Sequence, residues 1–426
     1  MQADDTKAIL GWSLYDWANS AFATTVMAGM FPVFFKEFWC AGIDQTLSTA
    51  RLGVANSVGG VLVAVMAPLL GAIADKGESR KKFLMFFMVV GVLATSGMYM
   101  ISKGSWLIAA VYYVLGVIGF SGGNIFYDSL IKVVASEKKV DFVSSLGFSL
   151  GYLGGGLLLA LNVWMTLSPS VFGFSDTGEA VRFSFLSVGL WWAVFSVPAF
   201  LFIHESEGDR TVSWRDATLR GVRQLGQTIQ HARHLRGVFL FLVAYWLYID
   251  GVDTIIRMAV AYGISIGFSS KDLISALLLV QFVGFPAALG FGWLAGRIGT
   301  KNSILTAVAI YLIISIWGAF MENRMEFYIL AIIIGLVQGG VQALSRSFYA
   351  RMIPVERTAE FFGFYNMLGK FAVVLGPVLM GGVGLFVRTI GYSSDVSSRI
   401  SLASISALFL IGGILLYFVK EEKVSV

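Results

Sequence analysis

The sequence predicts an all-α integral membrane protein: twelve transmembrane helices in two homologous six-helix halves. Three observations carry that prediction. Of 426 residues, 57% are hydrophobic and 13% charged, whereas soluble domains hold about 25% charged residues. Apolar stretches recur along the whole chain at the length of about 20 residues that a bilayer core requires of a helix, and the mean hydropathy is +0.78. Sequence elements of the first half return at the matching helices of the second.

The spans read, in order, as 10–38, 52–74, 82–102, 105–134, 141–168, 181–203, 237–265, 272–296, 303–321, 326–350, 359–388 and 398–419. Several exceed what a bilayer needs, which implies tilt. No strand alternation of the kind that builds a membrane β-barrel occurs. The 48 glycines suit helices that approach one another closely in lipid. Basic residues set the orientation. Lys76, Arg80, Lys81, Lys82, Lys138 and Lys139 crowd the even-numbered loops, and the segment 205–236 adds six arginines from Arg210 to Arg236; the odd-numbered loops carry isolated residues such as Lys36, Arg51, Lys103 and Arg182. Both termini are therefore expected in the cytoplasm, with the protein in the cell inner (cytoplasmic) membrane. No cleavable signal is read at the start, where Asp4 and Asp5 occupy the place of a basic region. A pI near 9.1 follows from these basic loops and calls for no nucleic acid.

The chain divides into a six-helix bundle over 1–204, a cytoplasmic linker over 205–236 and a second bundle over 237–426. In the linker, Trp214, Val222, Leu225 and Ile229 lie at near-helical spacing, so it reads either as an amphipathic helix or as a solvated connector.

The repeat is specific. Asp16-Trp17-Ala18-Asn19-Ser20 in the first span matches Asp250-Gly251-Val252-Asp253-Thr254 in the seventh. Gly71-Ala72-Ile73-Ala74-Asp75-Lys76, followed by Arg80 and Lys81, matches Gly292-Trp293-Leu294-Ala295-Gly296-Arg297, followed by Lys301 and Asn302. The segment Gly71–Lys82 resembles the loop 2–3 signature of the major facilitator superfamily; the second copy departs from it with Gly296 in place of the acid. Leu14–Phe22, Gln342–Ser347, Ala350–Pro354, Glu360–Gly363, Gly369-Lys370 and Gly376-Pro377 together resemble the vacuole-effluxer branch, which holds fungal autophagy-related amino-acid effluxers and bacterial members. The resemblance implies a major-facilitator fold of two pseudo-symmetric six-helix bundles, whose first, fourth, seventh and tenth helices line a central cavity, and a secondary transporter working by alternating access.

An ionisable side chain inside a span costs about 2.5–3.5 kcal/mol on insertion scales and marks a functional site by default. The set here is Asp16, Asp128, Asp250, Asp253, Arg257, Arg346 and Lys370; only Lys370 lies off the four helices that the resemblance places around the cavity. Asp250, Asp253 and Arg257 share one face of the seventh span. They read as a proton-coupling group, with Arg257 holding Asp253 ionised and Asp250 the less constrained acid, or as an ion pair that only neutralises itself. Gly251 between the acids is expected to loosen the helix. Asp16 and Asn19, one turn apart and close to Tyr15, either hold a solute ammonium with an aromatic face or brace the mouth of the first span. Asp128 and Arg346 read as a gate at the cytoplasmic ends of the fourth and tenth spans, with recognition of a solute carboxylate the alternative for Arg346. Asp75 and Arg80 read as a second gate element that braces the cytoplasmic surface, with a plain anchor at the membrane face the alternative. Gln281, Gln338 and Gln342 are further candidates to bind solute, and each equally suits a tie between helices; Asn366 is another solute contact, and Lys370 beside it reads as lining the cavity, with snorkelling toward a helix partner the alternative. Gly151, Gly154, Gly155 and Gly156, and Gly376, Gly381 and Gly382, are expected to permit close crossing.

No metal site, cofactor or enzyme is expected. Cys40 stands alone, and all three histidines, His204, His231 and His234, fall at or in the linker, so proton coupling must use carboxylates. His204 with Asp209, and two Gly-x-Ser-x-Gly runs at Gly147 and Gly263, match catalytic patterns by letters alone, without the strand-turn-helix setting such a nucleophile needs. The expected function is efflux of a small polar or zwitterionic, amino-acid-like solute by a monomer coupled to protons or another ion. A larger solute (muropeptide, sugar or lysolipid) and a non-transporting receptor of the same fold are the alternatives.

Overall fold

The computed structural model describes residues 3–76, 79–205, 223, 236–265, 270–371 and 375–421. The linker positions Trp214, Val222, Leu225 and Ile229 lie outside them. Among the described residues, eleven helices are long and apolar enough to cross a membrane, and Leu375–Thr389 is a shorter apolar helix. In chain order they are α1 (Thr6–Trp39), α2 (Gln45–Lys76), α3 (Arg80–Gly97), α4 (Trp106–Ser129), α5 (Val140–Leu167), α6 (Thr177–Phe202), α7 (Arg236–Ser265), α8 (Ser270–Ile298), α9 (Thr300–Ala319) and α10 (Arg324–Met352). After these come α11a (Thr358–Phe371), α11b (Leu375–Thr389) and α12, built from Ser394–Ser404 and Ser406–Phe418.

Side chains cap the starts of α1, α6 and α10. Asp5 caps α1 through the Ala8 amide at 3.3 Å. Capping boxes start α6 and α10: Asp176 accepts from the Glu179 amide while Glu179 reaches back to the Ser175 amide, and Asn323 with Glu326 repeats the device. Helix α1 is not uniformly α-helical, for Phe22–Met30 and Phe35–Trp39 are wound as π-helix. Two local causes are visible. Pro32 has no amide to give, and the Phe31 amide donates to the Val26 carbonyl, five residues back. Thr24 turns its hydroxyl onto the carbonyls of Ser20 and Gly155.

Two compact units result. The first comprises Met1–Val143, Leu150–Gly226 and Glu356–Asn366; the second comprises Ser144–Ser149, Gln227–Val355 and Met367–Val426. In the first, glycines let backbones touch. A Cβ on Gly119 of α4 would fall on the backbone of Gly91 in α3, and one on Gly154 of α5 would fall on Trp17 of α1. Phe31, Trp39, Tyr113 and Phe185 stack around the far end of α1. In the second unit, a Cβ on Gly251 would strike the ring of Phe409 in α12. Gly251 thus admits a neighbour's ring. The close-crossing role holds for Gly151, Gly154, Gly155 and Gly376 but not for Gly381 and Gly382, where a Cβ would meet nothing within 4 Å.

Each unit also carries a lysine clasp. The Lys81 ammonium, at the start of α3, donates to the Ile203 carbonyl at 2.7 Å, just past the end of α6. The Lys301 ammonium, at the start of α9, donates to the Tyr417 and Val419 carbonyls at 2.6 and 2.8 Å, at the end of α12. Helix C-termini leave carbonyls without partners, and a cation there satisfies both hydrogen bonding and dipole. Glu205, two residues past Ile203, accepts the Lys81 amide at 2.8 Å. Burial raises the Glu205 carboxyl above its usual range, and the hydrogen bond from that amide and the charges of Arg80 and Lys81 offset part of the rise. Lys81→Met and Lys301→Met are each expected to cost about 1–2 kcal/mol, read as a lower melting temperature in detergent beside a Lys420→Met control. Variants that melt with the control would mean solvated lysines.

Candidate functional site

In the first unit, Asp16 lies three turns into α1 and is buried. Its carboxylate accepts the Tyr127 hydroxyl of α4 at 3.1 Å. Tyr127 is itself held between Trp12 and Tyr15, with ring centroids at 4.4 and 5.1 Å, and its carbonyl accepts the Trp12 indole at 2.9 Å. One turn further, Asn19 donates to Asn124 at 2.7 Å. Tyr15, Asp16 and Asn19 thus form one polar and aromatic seam along α1 and α4. Asp128, on α4, accepts from Asn366 at 3.0 Å.

Asp75, at the end of α2, is held by four donor contacts. It takes the Arg80 guanidinium at 2.9 and 2.8 Å and the amides of Ala359 and Glu360 at 3.0 and 2.8 Å. Those amides begin α11a, so Asp75 supplies the negative end that a helix N-terminus favours. Gly71 and Gly363 make the approach possible: a Cβ on Gly71 would collide with the Ala359 carbonyl, and one on Gly363 with the backbone of Ala67 and Pro68.

In the second unit, Arg346 of α10 is buried. It donates to the hydroxyl and carbonyl of Ser144, each at 3.0 Å, and lies over the Phe148 ring at 4.4 Å. Asp250, in the middle of α7, is 0% exposed. It accepts the amides of Leu375 and Gly376 at 2.9 and 2.8 Å and the Thr254 hydroxyl at 3.1 Å. The sequence reading of Asp250 as the less constrained acid is therefore corrected: three donors fix it. Asp253 is half-buried. The side chains of Arg257 and Lys370 lie outside the described residues.

The glutamines divide differently. Gln281 of α8 is 5% exposed and Gln338 of α10 is half-buried, and among the described residues neither side-chain carbonyl has a hydrogen-bond partner. Gly335, one turn before Gln338, packs against Val280 and Val283, which flank Gln281. Both amides thus belong to one crossing of α8 and α10. Gln342 continues the same face of α10 and is half-buried.

Residues 45–426 match the family model described as "Vacuole effluxer Atg22 like". The uncharacterised MFS-type transporter YxiO of Bacillus subtilis is 36% identical over 98% of this chain and 96% of its own. The chain belongs to the Atg22-like family of major facilitator transporters. Autophagy-related protein 22 of Eremothecium gossypii is 23% identical over 91% of this chain and 87% of its own. Among solved structures, the proton:xylose symporter XylE superposes with a TM-score of 0.71 at 13% identity, covering 98% of this chain and 95% of that one. FucP in its outward conformation gives 0.71 at 11% identity, covering 97% and 98%.

This Atg22-like chain is thus a multi-pass membrane transporter of the superfamily and not an enzyme. Its site includes residues that sequence reasoning missed. Thr254 had a signal, since it lies four residues beyond Asp250 on the same helical face. Tyr127, beside Asp128, had none, and neither did Ser144 or Asn124, whose partners are remote in sequence.

Proposed function

We propose that this Atg22-like transporter carries a small zwitterionic or polar, amino-acid-like solute out of the cell by proton-coupled alternating access. The observation that carries the reading is the pair of side-chain carbonyls at Gln281 and Gln338, which among the described residues have no hydrogen-bond partner. A buried polar group left without a partner costs about 1–3 kcal/mol, and hydrocarbon offers no water to relieve it. A solute rich in donors and acceptors relieves both. Asp16, Tyr15 and Asn19 supply an acidic and aromatic contact for its ammonium, with Gln342, Asn366 and Lys370 as further contacts. Asp250, with Asp253 and Arg257, carries the proton. Asp128, Arg346, Asp75 and Arg80 serve the gate on the side that the basic loops mark as cytoplasmic.

The test is flux in proteoliposomes under an imposed pH gradient, with radiolabelled neutral amino acids as probes. Gln281→Leu should lower kcat/KM about tenfold, as a lost hydrogen bond to solute does, without lowering the melting temperature. Asp250→Asn should flatten the dependence on pH. Absence of gradient-driven flux for every amino acid would remove the reading.

A further inference from the structure

Leu375 and Gly376 are the first described residues of α11b, and their amides are taken by a side chain of another helix. In an uninterrupted helix each amide donates to the carbonyl four residues earlier. Here the Leu375 amide donates to Oδ2 of Asp250 at 2.9 Å and the Gly376 amide to Oδ1 at 2.8 Å. The next residue is Pro377, which has no amide. Three successive positions at the start of α11b are thereby accounted for: two amides by one carboxylate, and one by its absence. That matters inside a membrane, where an open helix N-terminus finds no water. Gly376 is needed for the fit, because a Cβ there would collide with the Thr254 hydroxyl and with Oδ1 of Asp250. Thr254 donates to the same Oδ1 at 3.1 Å and fixes the carboxylate's rotation from its own helix.

We propose that Asp250 and Thr254 clamp the N-terminus of α11b, and that a proton on Asp250 opens the clamp, making α11b the element that reads the coupling proton. The proposal rests on the reading of Asp250 as the proton carrier. Ionised, the carboxylate accepts three donors. A proton on Oδ2, the oxygen with one main-chain donor, turns an acceptor into an O–H donor facing the Leu375 N–H. That hydrogen bond is lost, and the neutral acid no longer complements the helix dipole. Other charges near the clamp are few among the described side chains. On α7, Asp253 lies one turn on, and the Tyr248 hydroxyl shares a hydrogen bond with the Ser345 hydroxyl of α10. From α10, Arg346 is engaged by Ser144. From α9, Tyr311 stacks on Phe409 of α12. Asp272 and Arg297 stand at the two ends of α8, and Arg388 lies at the far end of α11b.

Hydrogen–deuterium exchange of the full chain in lipid nanodiscs tests the clamp. With intrinsic exchange corrected at each pH, peptides within 375–389 of the wild type should exchange at least tenfold faster at low pH than at high pH. Asp250→Asn should be fast at both, and Thr254→Val intermediate. Peptides in α4 serve as the internal reference. Unchanged exchange of α11b in Asp250→Asn would overturn the clamp; if that variant fails to fold, Thr254→Val alone decides, by the same criterion. Wild-type exchange independent of pH would overturn the proton step. Flux without proton dependence, beside an α11b that loosens in Asp250→Asn, would remove the coupling reading and the proton step and leave the clamp standing.

Discussion

Gly119→Val should yield no monodisperse protein after extraction into detergent, whereas Gly53→Ala should purify like the parent. Both are glycines inside apolar helices, and the difference lies in what a side chain would meet. At Gly119 the new Cβ falls on the backbone of Gly91 and close to the Phe87 carbonyl. No rotamer change relieves a clash with main chain, so α3 and α4 must part. Their separation would also disturb Trp192, whose ring fills the space beside Gly91. Overpacking typically costs about 1–3 kcal/mol when side chains can yield. A backbone clash at a helix crossing exceeds that, and it is set against a total stability of about 5–15 kcal/mol for a folded domain. At Gly53 a Cβ meets nothing within 4 Å. Size-exclusion profiles of the two variants decide the matter; a sharp Gly119→Val peak would mean that α3 and α4 do not cross as described.

That contrast also shows what the sequence could and could not reveal. Length and hydropathy of apolar runs report the cost of leaving water, which composition carries, so the spans and the all-helical membrane fold were legible. The partner of each face is not written in composition. Gly119 and Gly53 look alike as letters, as do Gly376, where a Cβ would strike Thr254 and Asp250, and Gly382, where a Cβ would meet nothing within 4 Å. The eleventh span reads as one helix over 359–388, in which Gly376-Pro377 permits close crossing and bending. The carboxylate that takes the Leu375 and Gly376 amides comes from Asp250, far away in the chain, and no local pattern announces it. The π-wound stretches of α1 have a visible ingredient in Pro32, but the Thr24 hydroxyl selects its carbonyls only once α5 is in place. The clasps were half legible. Lys81 and Lys301 occupy the same position at the start of their helices, and Glu205 and Glu421 each lie two residues past the clasped carbonyls of Ile203 and Val419.

Asp75→Ala should destabilise the protein by about 3–5 kcal/mol, the range for removing one partner of a buried ion pair, and should remove transport. Arg80→Ala should cost clearly less. The asymmetry follows from the bonding. The Asp75 carboxylate is 1% exposed and holds one guanidinium and two helix amides; the Arg80 side chain is 12% exposed. Without Asp75, the guanidinium and the amides of Ala359 and Glu360 lose this acceptor together, and the segment Glu356–Asn366 loses a polar tie within the first unit. Without Arg80, the carboxylate keeps both amides and the positive end of α11a. A double-mutant cycle on melting temperature and on flux separates the contributions. If Arg80 alone gives Asp75 its role, the double variant matches Asp75→Ala and Arg80→Ala equals it. If the α11a amides dominate, Arg80→Ala retains partial transport while Asp75→Ala has none. Equal losses in the two single variants would show that capping of α11a does not contribute, and that the ion pair alone holds this end of the bundle.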